Sequence, residues 1–291
     1  MANQQLRIAE NVAGRFYVDS TCIDCDTCRQ LAPSSFRDNG EQSFVYHQPE
    51  TEEERRLAHM AVVACPTGSI GAGELLDSSA GITAFPYRIA ENVYYCGFNS
   101  KKSFGAWSYL IVRPPERGGN VLVDSPRFSG PLVRKIEEMG GVSLIFLSHR
   151  DDIADHDRFA RKFNAVRIMH NSDGAARLGI ETIIEGTEAV NLDDELTVIP
   201  VPSHTRGSQV LLYKNKFLFT GDHLAWSPNR ESLTAFRSVC WYSWEAQTKS
   251  MVKLLNFEFE WVLPGHGWIK NLSKKEMERH LNGCIEWMGR N

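Results

Sequence analysis

Four cysteines constrain this chain more than anything else in it. Cys22, Cys25 and Cys28 stand at two-residue intervals, and Cys65 lies far downstream, directly before Pro66. A loop as short as Cys22-Ile23-Asp24-Cys25-Asp26-Thr27-Cys28 can set three sulfurs on three irons, while a distant Cys-Pro closes the fourth corner of a cubic cluster. Zinc usually asks for two separated Cys-x-x-Cys pairs or added histidines, which three evenly spaced cysteines do not supply. Disulfides suit a secreted chain, yet residues 1–13 contain no apolar stretch of the signal-peptide kind. The expectation is one iron–sulfur cluster, of the four-iron type, on Cys22, Cys25, Cys28 and Cys65.

Around these cysteines, residues 15–71 resemble a single-cluster bacterial-type ferredoxin. The bacterial run normally continues to another Cys-Pro that serves a second cluster; here that position is Ala32-Pro33, with the proline kept and the thiol gone. In the resemblance, residues 15–19 are the first strand, 43–46 the central hairpin and 52–64 the helix. That helix carries its acids early and its apolar residues late, as the helix dipole favours. The implied fold is a small α+β domain that moves one electron at a time.

With 291 residues, the chain has room for two domains. A hydrophobic share of 42% and a charged share of 23% describe a globular protein with a sizeable core. The net charge of −4 argues against a nucleic-acid partner, since no basic stripe is present to neutralise phosphates. No apolar run approaches the ~20 residues of a membrane helix. Cys96, Cys240 and Cys284 are widely spread and read as buried, reduced thiols. The expected location is a bacterial-type cytoplasm, or an organellar stroma if the chain is a mature form.

Residues 68–85 are rich in Gly, Ser and Ala without clear periodicity, which marks a joint. The expected division is therefore 1–75 for the cluster domain, 76–86 for a linker and 87–291 for a second domain. In that second domain strand-length apolar runs recur at 93–96, 109–112, 121–124, 144–147, 166–169, 196–201, 209–213, 216–219 and 261–263. Helical stretches at 131–139, 156–163 and 274–287 alternate with them, which predicts layers of helix against sheet.

Histidines and aspartates cluster just past those strands. His149 and Asp151 follow the run at 144–147, Asp155-His156 opens the next helix, and His204 follows 196–201. Asp222 and His266 close the runs at 216–219 and 261–263. Imidazole and carboxylate suit zinc, iron or manganese, and strand-end loops can bring them together.

From about residue 94 to 287 the chain is similar to the metallo-β-lactamase superfamily, an αββα sandwich with metals at the sheet edges. Leu122-Val123-Asp124-Ser125 resembles the early Val-Asp-Thr-Gly turn, and Ser203-His204-Thr205-Arg206-Gly207-Ser208 the Gly-His-Thr-x-Gly-Ser loop. Gly221-Asp222 resembles the turn with the bridging aspartate, and Pro264-Gly265-His266-Gly267 the final histidine loop. The departure lies in the His-x-His-x-Asp-His motif, which reads His149-Arg150-Asp151-Asp152-Ile153-Ala154-Asp155-His156. Asp151 replaces the second histidine, and the Asp-His pair comes two residues late. The carboxylate there is similar to the flavodiiron branch. The resemblance implies a first metal on His149, Asp151 and His204 with Asp222 bridging, and a second on Asp155, His156, Asp222 and His266. Asp152 is an alternative to Asp151, and a decayed, metal-free scaffold is the contrary reading. His170, His223 and His280 match no ligand position. The aromatics Trp226, Phe236, Trp241, Tyr242 and Trp244 suit core packing or a pocket wall equally well.

The overall layout resembles the ferredoxin–lactamase fusions of cyanobacteria and plastids. Replacing an imidazole with a carboxylate hardens the first site and favours iron or manganese, although zinc also accepts carboxylates. The expected function is a redox-linked enzyme: the cluster exchanges electrons with a second, iron-containing centre acting on a small molecule. One alternative is a hydrolase that uses metal-bound hydroxide, oriented by Asp155 or Asp222. Another is a non-catalytic electron-transfer or redox-sensor protein. An electron-donor or acceptor protein is the further partner expected.

Overall fold

A computed structural model describes residues 2–73 and 79–290. Residues 76–78 of the expected linker lie outside the described residues. Packing divides the chain into two compact units. The first comprises Met1–Val121, Ser125–Val142 and Ala154–Phe159; the second comprises Leu122–Asp124, Ser143–Ile153 and Ala160–Asn291. No helix among the described residues is long and apolar enough to cross a membrane.

The first unit opens with β1 (Tyr17–Val18), α1 (Thr27–Leu31), β2 (Phe36–Asp38), β3 (Ser43–Val45), α2 (Glu52–Ala64) and β4 (Ile70–Gly71). β1 pairs antiparallel with β4, and β2 with β3. The side chain of Asn11 ties the layers together: its Oδ1 accepts from the N–H groups of Val18 and Val45, each at 3.0 Å. α2 keeps the span expected from sequence because its start is doubly secured. Thr51 accepts from Glu54 N–H while Glu54 reaches back to Thr51 N–H, and Glu52, Glu53 and Glu54 fill the first turn. The hairpin expected at 43–46 is one arm only; its partner β2 carries no sequence signal, because a three-residue strand with one buried side chain shows no period.

The unit continues through α3 (Ser79–Thr83), then β5 (Tyr87–Ala90), β6 (Val93–Tyr95) and β7 (Tyr109–Ile111), an antiparallel meander. β8 (Val121–Val123) starts in the first unit and ends in the second, and α4 (Gly130–Glu138) belongs to the first.

The second unit holds β9 (Leu144–Phe146), β10 (Val166–His170) and β11 (Thr182–Ile184), paired in parallel, and α5 (His156–Phe163) ends in it. Then come β12 (Val190–Asn191), β13 (Leu196–Pro200), β14 (Gln209–Tyr213), β15 (Phe217–Gly221), the hairpin β16 (Ala225–Ser227) with β17 (Ser232–Thr234), α6 (Trp244–Leu254), β18 (Trp261–Pro264), β19 (Lys270–Asn271) and α7 (Lys274–Arg290). One sheet has the order β12-β13-β14-β15-β18-β19. β13, β14 and β15 are antiparallel neighbours, whereas β18 runs parallel to β15, with Gly221 opposite Pro264.

α7 buries Met277, Leu281, Cys284 and Met288, a four-three-four spacing that keeps them on one face. With Met251 and Leu254 of α6 they pack onto Ile199, Val210, Leu212, Leu218 and Val262 in a single apolar cluster. At about 1.5–3 kcal/mol per fully buried large aliphatic side chain, this layer is what fixes the sheet behind the strand-end loops. α6 was not anticipated from sequence; its start is capped by Ser243, which accepts from Ala246 N–H.

Candidate metal centres

The second unit's loops meet where its strands end. Because β15 and β18 are parallel, their ends lie side by side, and Gly265 N–H donates to Gly221 O at 2.9 Å. The next residues, Asp222 and His266, are therefore neighbours: His266 Nδ1 is 2.8 Å from Asp222 Oδ1. A side chain at Gly265 would sit 2.7 Å from Asp152 Oδ2, so the turn needs its glycine to leave Asp152 in place. His149 follows β9, whose extension is tied down by Leu147 N–H to Ile168 O and by Gln209 N–H to Ser148 O. His204 lies in the loop joining β13 to β14.

Six side chains thereby approach one another. His149 Nε2 is 3.8 Å from Asp222 Oδ2 and 4.0 Å from Asp152 Oδ2. His204 Nε2 is 3.8 Å from Asp222 Oδ2 and 3.2 Å from Asp151 Oδ2. Two donor sets result among the described residues, His149/His204/Asp222 and Asp152/Asp222/His266, each with its donor atoms within 4.8 Å of one another. Atoms sharing one tetrahedral ion at ~2.1 Å are separated by roughly 3.4 Å, so these gaps need only slight contraction. His149 Nε2 and Asp152 Oδ2 are buried without a hydrogen-bond partner. Buried polar atoms are rarely left so. The residues present fit a bound cation.

The electrostatics agree. Burial pushes Asp152 well above the ordinary carboxyl range, and the nearby Asp222 charge adds to it. Burial would also raise Asp222, but His266, His149 and His204 together hold it well below that range. Burial lowers His149, favouring the neutral imidazole a metal requires. Packed like charges with imidazoles facing inward are relieved by a divalent ion.

Two supporting groups were not anticipated from sequence. Ser148 Oγ lies 2.9 Å from His149 Nδ1, which turns Nε2 toward the site, and Ser148 N–H donates to Asp124 Oδ1 at 2.7 Å. Buried Asp173 ties two loops together: its Oδ2 accepts from Arg150 N–H at 2.9 Å and from the Thr205 hydroxyl at 2.6 Å, and its Oδ1 from Gly207 N–H at 2.8 Å. Asp173 belongs to no motif; only its seat after β10, a strand ending beside β9, gives it this reach.

Asp151 is half exposed and touches the first set through His204, whose hydrogen bond holds its carboxyl below the usual range. The alternative, Asp152, is the aspartate inside a donor set. Asp155 and His156, expected as ligands of a second site, are not among the residues of these two donor sets. Asp155 is engaged elsewhere, its Oδ1 accepting from Lys102 Nζ at 2.7 Å and its Oδ2 from Phe128 N–H at 2.9 Å. Burial raises Asp155, but those donors outweigh it and keep it ionised in its ion pair. The two extra residues carry Asp155-His156 onto the start of α5, past the strand-end loop.

His170 lies 2.9 Å from Gly186 O and His280 3.2 Å from Ser232 Oγ, and with His223 they stand outside both sets. The aromatic run divides. Trp244 packs edge-on against Trp287. Trp241 is 61% exposed with its ring 5.9 Å from His204, and its N–H and that of Tyr242 donate to His204 O.

In the first unit Cys22, Cys25 and Cys28 lead into and enter α1, and Cys65 follows the last residue of α2. The four thiols line one cavity, and none is in a disulfide. Burial raises Cys22 and Cys28 and pushes Cys25 up to about 11, with neighbouring cysteines adding to each. Sulfurs crowded this way are relieved by metal coordination. Ser69 N–H donates to Cys65 Sγ at 3.3 Å, a contact that suits a cluster-bound sulfur.

Residues 18–72 match the family model described as the 4Fe-4S single cluster domain of Ferredoxin I. No curated protein matches the chain in sequence. Among solved structures, the DIM-1 metallo-β-lactamase exposed to ceftazidime is similar at TM-score 0.52 and 19% identity, covering 69% of this chain and 95% of that one. A metallo-β-lactamase from Hirschia baltica is similar at TM-score 0.51 and 14% identity, covering 68% and 95%. ETHE1 from Myxococcus xanthus is similar at TM-score 0.48 and 18% identity, covering 67% and 89%. The chain thus joins a four-iron ferredoxin domain to an α/β sandwich of the metallo-β-lactamase fold.

Proposed function

We propose that this chain is a redox-linked enzyme in which the iron–sulfur cluster exchanges electrons with an iron-containing centre built on His149, His204 and Asp222. The observation that carries this reading is the donor set itself. Two imidazoles and one carboxylate, with a second carboxylate, Asp151, beside His204, make a hard, anionic site of the kind that favours iron. A four-cysteine centre in the same polypeptide gives such an ion an electron source; a hydrolase has no evident need of one. When bound, an ion there would supply Lewis acidity and, for iron, a change of oxidation state.

The chain's own residues do the positioning. Ser148 fixes the His149 ring, and Asp173 fixes the backbone on both sides of the site. Trp241 offers an exposed apolar wall beside His204 for a small substrate. In this reading residues 1–75 carry electrons, 76–86 join the parts, and 87–291 hold the substrate.

A second reading, metal-dependent hydrolysis, is favoured by one observation: Asp222 belongs to both donor sets and so can bridge two ions. Metal analysis of protein purified anaerobically without added metal, with turnover measured before and after cluster reduction, decides between them. Iron in the histidine site with reduction-dependent turnover is expected. Zinc in both sets with unchanged turnover would overturn the redox reading.

A further inference from the structure

The sulfur of Cys25 is served by residues that lie outside the matched ferredoxin segment. Thr27 is buried, and its Oγ1 is 3.7 Å from Cys25 Sγ. The same oxygen accepts two hydrogen bonds, from Asn99 Nδ2 at 3.0 Å and from Trp107 Nε1 at 3.2 Å. A hydroxyl has two acceptor lone pairs and one proton to give. With both lone pairs taken, the proton is left to point elsewhere, and Cys25 Sγ is within reach. Bound as a thiolate, the sulfur has no proton of its own and accepts, and Thr27 is the donor.

The two N–H groups are themselves held rigidly. Asn99 is fully buried, accepts from the Tyr95 hydroxyl at 2.6 Å and donates its second N–H to Gly105 O at 2.7 Å. The Tyr95 and Trp107 rings are stacked at 3.7 Å and 14°. Gly105, at φ +89°, brings bare backbone against the cluster loop, where an added Cβ would be 2.7 Å from Cys25 Cβ and 3.0 Å from its Sγ. The approach packs the Gly105 backbone directly beside that sulfur.

Hydrogen bonds to cluster sulfurs and solvent access are among the quantities that set an iron–sulfur potential. A donor to a ligand sulfur stabilises the more electron-rich, reduced state. We infer that the segment Tyr95–Trp107 tunes the reduction potential of the cluster upward by directing the Thr27 hydroxyl onto the Cys25 sulfur. Asn99 and Trp107 are positioning residues in this arrangement; they act through Thr27. The inference rests on the cluster occupying the four cysteines, not on the chemistry of the second centre.

The test is an anaerobic redox titration of the full chain followed by electron paramagnetic resonance, with iron and sulfide content measured first. Thr27→Val is expected to shift the midpoint to a more negative value, while Thr27→Ser stays near wild type. Trp107→Phe, which keeps the ring and loses the N–H, is expected to shift the midpoint the same way but less. Added to Thr27→Val, it is expected to produce no further shift, because its effect passes through the hydroxyl. An unchanged midpoint in cluster-replete Thr27→Val overturns the inference, as does a Trp107→Phe shift that persists when Thr27→Val is already in place. Should Thr27→Val not retain its cluster, an unchanged midpoint in Trp107→Phe overturns it equally. Wild-type protein without iron and sulfide would instead refute the cluster itself.

Discussion

His149 Nε2 and Asp152 Oδ2 face each other across 4.0 Å, both buried, and neither has a hydrogen bond. The pair marks the space a cation would occupy, and it separates Asp152 from Asp155. Asp152→Ala is expected to cost more metal affinity than the roughly 10–100-fold typical of removing an outer partner. Asp155→Ala is expected to leave metal content unchanged. Metal equivalents retained after gel filtration check this, and equal losses in the two variants would contradict it.

Asp173 supports three donors from two loops with one carboxylate. Asp173→Ala leaves Arg150 N–H, Gly207 N–H and the Thr205 hydroxyl without that acceptor. At about 1–3 kcal/mol per buried unmet group, and with partial relief by water, a loss of about 3 kcal/mol is expected. Urea unfolding measures it. Metal affinity is expected to fall about 10–100-fold alongside, because the loops carrying His149 and His204 loosen.

His223 is fully buried, and burial pushes its imidazole down to about 3. The unfolded chain therefore binds a proton below about pH 6.5 that the folded chain refuses. Stability tied to this group is complete above pH 6.5 and is lost as the pH falls from there toward 3. Between pH 6.5 and 5 the loss is expected to reach about 2 kcal/mol, at 1.36 kcal/mol per unit. His223→Leu is expected to flatten the pH dependence of unfolding over that window; an unchanged slope would count against the assignment.

Cysteine content alone does not mark cluster ligands. Cys65→Ser is expected to abolish the visible absorbance and the iron content. Cys284→Ser, which alters a buried core position on α7, is expected to keep both while lowering stability by about 1–3 kcal/mol through burial of a hydroxyl. Parallel iron assay and thermal unfolding separate the two outcomes.

Sequence patterns revealed the parts of the fold that carry period or motif. α2 and α5 have the expected spans because caps and charges mark their ends, and the strand β14 because all five of its residues are apolar or buried. Asp222, His204 and His266 came from loops whose glycine and proline fix the backbone. The choice between Asp151 and Asp152 was not legible, because it turns on how two extra residues are absorbed before α5. Asp173 was invisible for a different reason: its role depends on β10 ending beside β9, a pairing no local pattern encodes. Short strands such as β2, β5 and β12 carry too few residues to show alternation.

Asp222 faces His149 and His204 through Oδ2, while His266 Nδ1 lies 2.8 Å from its Oδ1 and 3.0 Å from its Oδ2. A single side chain thus sits in both donor sets, so two ions bound there would not fill them independently. If two ions bind, the first would withdraw charge from the shared carboxylate and fix its rotamer for the second, and stepwise calorimetric binding curves would depart from two identical, uncoupled steps.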